Sequence, residues 1–134
     1  MTRATAPQLR SERGQAAVEF ALVLPLFCVL LLGIVQLGIV FNHSQTLTDA
    51  TRVGARKAIT SRLGGASVDD AKLAVTNAAG SLDTSKLVVT VTSLDWTQAG
   101  SEVVVTATYP YEVNLLGWVV ASGDLTSTMK ERLE

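Results

Sequence analysis

The chain has few of the residues from which disulfides, metal sites and nucleic-acid surfaces are built. Its 134 residues include one cysteine, one histidine and 5% aromatic residues, and its net charge is −1. A single thiol excludes a disulfide framework within the chain, so packing must hold the fold together. The small net charge and the low aromatic content give no reason to expect a nucleic-acid partner.

The same scarcity argues against an enzyme. The histidine, His43, and the thiol, Cys28, lie beside and within a long apolar run, so neither is expected to join a nucleophilic site. Gly64 and Gly65 lack the lysine and the preceding strand of a phosphate-binding loop. We therefore expect no catalytic residue, no metal and no cofactor.

Apolar residues, in contrast, are abundant and concentrated. They make up 48% of the chain, and residues 20–41 contain no charge. These roughly 22 positions span the ~30 Å hydrocarbon core of a bilayer at a helical rise of ~1.5 Å per residue. The run is longer than the ~7–15 apolar residues of a signal peptide. The sequence predicts a retained transmembrane helix over residues 15–41 that tolerates Pro25.

The charges on either side of this run predict its orientation. Arg3, Arg10 and Arg13 precede it, whereas the first charge after it is Asp49. Because positive loops stay on the cytoplasmic side, we expect a basic cytoplasmic leader over residues 1–14. The remaining chain would lie on the other side of the membrane, as a helix extension over residues 42–62 and a small domain over residues 63–134.

The helix extension carries small residues at a four-residue spacing. Ala50, Gly54 and Ala58 fall on one helix face, where another backbone can approach closely. We expect one helix from near Gln15 to about residue 62, ended by the glycine pair at 64–65.

A shorter second helix is predicted over residues 67–80. Ser67 can cap it, Asp69 and Asp70 suit its first turn, and Gly80 can end it. The two adjacent acids could also suggest a metal site, but no further ligand cluster lies near them in sequence.

The period of the apolar residues changes to two after Gly80, which predicts three antiparallel strands. They cover residues 86–94, 101–111 and 124–134, with TQAGS as the first turn and Pro110 closing the second strand. The side chains expected to face inward are Leu87, Val89, Val91, Val103, Val105, Ala107 and Tyr109. The predicted fold class is therefore α+β and membrane-anchored, with the helix extension covering the sheet.

The segment NLLGWVVAS, residues 114–122, contains more large apolar residues than a connection needs. One interpretation is that it completes a small core. The other is that it forms a hydrophobic patch facing lipid or a neighbouring subunit.

The start of the apolar run resembles the processing site of type IV pilin-like precursors. Gly14 is followed five residues later by Glu19, and GQAAVEFALVLPLF with the later TDATRVGARKAI resembles the TadE-like proteins of tight-adherence (Tad) pilus systems. The VEFALVLP motif contains Phe20 and Pro25. In that family a prepilin peptidase cuts after the glycine, which would leave Gln15 as the new N-terminus. The glutamate is thought to meet the N-terminal amine of an adjacent subunit.

The resemblance implies a pilin-like fold and a role as a minor pseudopilin or assembly protein in pilus biogenesis and surface adherence. The implied partners are membrane lipid, other pilin-like subunits including a TadF-like protein, the peptidase and the Tad inner-membrane machinery. An alternative from another class is a single-pass anchor for a binding domain unrelated to pili, which would keep residues 1–14. A third is an anchored enzyme with a carboxylate site in the sheet domain.

Overall fold

The structure is a computed structural model that describes residues 9–61, 68–93 and 100–132. The chain divides into two compact units, Met1–Val35 and Gln36–Glu134. The described part of the first unit is the N-terminal part of a long helix. The second contains the rest of that helix, a short helix and a three-stranded sheet. The predicted fold class, α+β with a long apolar N-terminal helix, is confirmed.

Helix α1 spans Leu9–Ser61 and includes Pro25. It begins six residues before the predicted start at Gln15. Residues 9–13 contain no proline or glycine, and Gly14 costs only about 1 kcal/mol relative to alanine within a helix. Because an established helix propagates cheaply into adjacent turns, this weak breaker does not stop it. The glycine pair at 64–65, predicted to end the helix, lies outside the described residues.

Helix α2 spans Val68–Ala78 and carries Asp69 and Asp70 in its first turn, as predicted. Acidic residues there are stabilised by the positive end of the helix dipole. The Asp69 carboxylate also lies 4.0 Å from the Lys72 ammonium group. The predicted cap, Ser67, lies outside the described residues.

A short 3-10 turn, Thr84–Lys86, leads from α2 into the sheet. The Asp83 carboxylate caps it by accepting hydrogen bonds from the Ser85 hydroxyl at 2.6 Å and from the Ser85 backbone N–H at 3.1 Å. These bonds hold the pKa of the Asp83 carboxyl below its usual range. The cap therefore contributes at neutral pH, and its contribution is lost as the pH falls through the lowered pKa.

The three strands are β1 (Val88–Ser93), β2 (Glu102–Leu115) and β3 (Trp118–Arg132), in the order β1-β2-β3. Both pairings are antiparallel; Val91 lies opposite Val105, which lies opposite Met129. The predicted alternation of burial in β1 and β2 is confirmed. Most of the predicted TQAGS turn lies outside the described residues.

Pro110 does not close β2, contrary to the prediction. The strand continues five residues further, and Pro110 lies opposite Asp124 of β3. β1 begins at Val88, which lies opposite Thr108. Among the described strands, β3 alone therefore flanks β2 at Pro110. Proline is tolerated at a position that needs no backbone donor toward a second neighbour.

Residues 114–122 form the closed end of the β2–β3 hairpin, and β3 begins six residues earlier than predicted. Leu115 lies opposite Trp118 across a two-residue turn, in which Leu116 and Gly117 have φ of 54° and 89°. The core-completing interpretation of this segment is wrong, because Leu116, Trp118 and Val119 are exposed. None of the described helices and strands covers these side chains.

The core of the second unit lies between one face of the sheet and the two helices. Alternate residues of the central strand β2 form the sheet side of this core, and small residues of α1 and α2 pack against them. Its buried members are Leu47, Ala50, Ala55, Ala58, Ala71, Val75, Ala79, Leu82, Val103, Val105, Ala107 and Tyr109. Partly buried Leu87, Val89, Val91, Leu125 and Met129 pack against it.

Gly54 of α1 lies where α2 approaches closely. A Cβ built there would collide with Val75 Cγ2 and lie 3.3 Å from the Ala71 carbonyl oxygen. A side chain can yield to such a contact, but the backbone oxygen is held within α2. Only a glycine therefore lets the two helices pack at this distance.

We expect Gly54→Ala to lower the free energy of unfolding of the second unit. The added methyl overpacks the contact, at a cost of about 1–3 kcal/mol, which outweighs the ~1 kcal/mol helix-propensity gain. Thermal unfolding of the detergent-solubilised chain measures the effect. Gly38→Ala is the matched control, because its Cβ would meet nothing within 4 Å. Equal melting temperatures for the two variants would contradict this packing.

Candidate processing and assembly site

The predicted processing and assembly residues lie in the first unit, on the N-terminal part of α1. Gln15 and Glu19 are one helical turn apart, and the Gln15 side-chain amide donates a hydrogen bond of 3.1 Å to Glu19 Oε1. Both side chains are exposed. The sequence interpretation missed this partner, although an i, i+4 spacing of amide and carboxylate favours it.

The Gly14–Gln15 peptide bond lies inside the helix rather than in an extended segment. Apart from the chain neighbours and the backbone of α1 itself, no described atom lies within 4 Å of a Cβ built at Gly14, so no packing contact is described at this residue. Its effect on the chain is therefore one of backbone freedom rather than of packing. It is the position in this first stretch where the helix unwinds most cheaply.

The side chains that follow Glu19 are apolar and exposed all round the helix. Phe20 is 65% exposed, and the most apolar window of α1 has no buried residue within the structure. A helix that is apolar on every face is stable when hydrocarbon surrounds it. Among the described residues, α1 is the one helix long and apolar enough to cross a membrane.

Glu19 stands at the start of this apolar segment with a neutral partner. The Gln15 amide satisfies one lone pair but supplies no positive charge. None of the ion pairs between described side chains includes Glu19. A carboxylate near hydrocarbon is costly unless a cation neutralises it, so this geometry leaves Glu19 suited to a positive group from outside the described helix.

The predicted packing face lies in the second unit. Ala50, Gly54 and Ala58 are all buried there, and Gly54 contacts α2 of the same chain. The structure thus gives this face an intramolecular partner.

The other candidate chemical groups stand apart from one another. Cys28 is a free, exposed thiol on the apolar segment. The His43 ring packs edge-on against Tyr109, with ring centroids 5.6 Å apart. Within residues 9–61, 68–93 and 100–132, no three His, Cys, Asp or Glu side chains are grouped so that they could hold a metal ion.

These features indicate a chain with one N-terminal membrane anchor and a small α+β domain. Residues 14–56 match the family model described as TadE-like protein, so the resemblance seen in the sequence is confirmed over those residues. The matched residues all lie in α1 and are about a third of the chain, and the TadE-like family is associated with Tad pilus systems. Comparisons with curated proteins and with solved structures find no match to the chain.

We expect Leu30→Arg to weaken membrane integration. Leu30 lies near the middle of residues 20–41, and an arginine at a helix centre costs about 2.5–3.5 kcal/mol on insertion scales. The fraction of protein that resists alkaline extraction from membranes should fall. Leu73→Arg, at an exposed leucine of α2, is the control and should extract like the parent chain. Identical extraction of the two variants would count against α1 as the anchor.

Proposed function

We propose that this chain is a TadE-like minor pseudopilin or assembly protein of a Tad pilus. The observation that carries the proposal is the extent of the family match. It begins at Gly14, includes Glu19 and covers the whole apolar segment. In this role the chain would sit in the bacterial cytoplasmic membrane, with its N-terminus in the cytoplasm and the sheet domain outside. It would contribute to pilus biogenesis and so to surface adherence.

The first step of the proposed pathway is hydrolysis of the Gly14–Gln15 bond by a prepilin peptidase. A peptidase needs access to the scissile backbone, and here that backbone is helical. The end of α1 must therefore unwind locally, which the backbone freedom of Gly14 favours. Cleavage removes residues 1–14 and leaves a positively charged amine on Gln15.

The second step is recognition between subunits through Glu19. In a low-dielectric environment, the carboxylate and the new amine of a neighbouring helix attract each other strongly, although desolvation offsets much of that attraction. The pair therefore sets the register between helices more than it adds affinity. Before assembly, the hydrogen bond from Gln15 holds the carboxylate on the same helix face as the new N-terminus.

Other pilin-like subunits are the partners that this mechanism requires, and the family resemblance adds a TadF-like protein to them. The sheet domain makes the chain larger than a major Tad pilin, which favours a priming, capping or assembly role over that of the main filament subunit. These assignments follow from the family resemblance and the proposed pathway.

The N-terminus of the mature protein tests the proposal directly. Protein extracted from the membranes of the native host should begin at Gln15, with or without an added methyl group, in intact-mass and N-terminal peptide measurements. A strain without the prepilin peptidase should yield the uncut chain and serves as the control. A chain that keeps residues 1–14 in the presence of the peptidase would favour the plain membrane anchor instead.

Glu19→Gln should leave membrane insertion intact and impair pilus assembly. The variant keeps the size and the hydrogen bond to Gln15 but leaves the partner amine unneutralised, which costs about 3–5 kcal/mol for a buried pair. Co-purification with pilin-like subunits and counts of surface pili measure the loss.

Glu131→Gln, on β3 in the second unit, is the matched control because it removes the same charge outside the membrane segment. Pili at parental number in the Glu19→Gln strain, with Glu19→Ala behaving alike, would refute a role for this carboxylate.

A further inference from the structure

The closed end of the β2–β3 hairpin exposes a group of large apolar side chains, which we call the hairpin tip. Their exposed fractions are 73% for Leu116, 80% for Trp118, 55% for Val119 and 58% for Val120. Residues 113–123 contain no charged side chain. A contiguous exposed apolar patch that includes a tryptophan is typical of an interaction surface.

The turn presents these side chains in a defined geometry. Leu116 adopts a positive φ of 54°, a backbone conformation that is unfavourable for a leucine. The turn is braced by Asn114, whose side-chain oxygen accepts a hydrogen bond of 2.9 Å from the Gly117 N–H. Asparagine or glycine would suit position 116 better for folding alone, so the exposed leucine there points to a role in binding.

The position of the tip follows from the packing within the second unit. A groove brings Ile39, Val40 and His43 of α1 together with residues 109–112 of β2. In α1, the core residues come after the groove residues in sequence and start at Leu47. In β2, the core residues Val103 to Tyr109 come before the end of the groove segment. The helix and the strand therefore run in opposite directions past the groove.

Beyond the groove, the hairpin extends toward the apolar side of the helix. Leu115 lies three residues past Glu112, or about 10 Å further along the strand. Residues 36–38 of α1, which precede the groove within the second unit, carry no charge. The hairpin tip thus lies on the side of the groove where α1 becomes apolar.

We propose that the hairpin tip inserts into the interfacial region of the membrane that α1 spans, as a second lipid contact of the same chain. Tryptophan is enriched at this depth because its ring is both apolar and polar. Glu112 and Asp124 flank the tip, so the contact uses apolar insertion rather than attraction to anionic headgroups. The inference rests on α1 being the membrane anchor but not on cleavage or pilus assembly.

The consequence is a second lipid contact in addition to the one made by the anchor. The chain would meet lipid at α1 and at the tip, and the groove between residues 39–43 and 109–112 would lie at the headgroup level.

Trp118 reports directly on this contact. The full chain with Trp96→Phe has Trp118 as its one tryptophan. This variant is reconstituted into phosphatidylcholine vesicles, and flotation and alkaline washing verify that α1 anchors it. We expect blue-shifted emission that is quenched by lipids carrying a nitroxide near the headgroup. Iodide present on both faces of the vesicle should quench it little.

Two variants make the test specific. Leu116→Asp suits the positive φ of the turn but places a charge at the tip, so lipid quenching of Trp118 should fall and iodide quenching should rise. Val88→Asp, at an exposed valine of β1 outside the tip, should change neither. Circular dichroism melting verifies that both variants remain folded.

Two results would overturn the proposal in chains that float with the vesicles. Strong iodide quenching with no lipid quenching would place Trp118 in water. Protection from both quenchers would place it against protein, as in a contact with a second copy of the chain or another subunit.

Discussion

Water cannot solvate the apolar segment of α1, and the other features of the chain are arranged around that constraint. Residues 20–41 carry no charge, and the most apolar window of the helix has no buried residue. Hydrocarbon satisfies such a surface because the backbone is already hydrogen-bonded within the helix. Charged groups must therefore lie before or after the segment, and Gln36 is the one strongly polar side chain within it. Glu19 is placed at its start, where a carboxylate costs less than it would at the centre of the helix.

The second unit uses the continuation of the same helix for a different purpose. From Leu47 onward, α1 presents small side chains to α2 and the sheet, and Gly54 allows the two helices to approach closely. A three-stranded sheet has too little surface to bury its own apolar face. Helix α1 thus passes from a surface that requires lipid to one that completes a protein core. This dual use explains why few large residues are needed on its second half.

Much of this architecture could be predicted from local patterns. The apolar residues change to a period of two after Gly80, which predicted the strands. The acidic residues of the first turn predicted α2. The prediction for Pro110 was wrong because the effect of a proline depends on whether a second strand lies beside it. β1 pairs with β2 only as far as Thr108 and does not reach Pro110. The hydrogen bond between Gln15 and Glu19 follows from helical spacing alone. Whether residues 114–122 are buried or exposed could not be predicted, because the same apolar residues are compatible with a core and with an exposed surface.

The sequence alone determined the membrane-length helix, the three strands and the resemblance around Gly14 and Glu19, since each depends on residues close together in the chain. The tertiary structure decided which apolar residues are covered. Ala50 is buried and Trp118 is exposed, although hydrophobicity would order them the other way. Burial depends on which distant elements meet, and the described elements leave the large side chains at the hairpin end exposed.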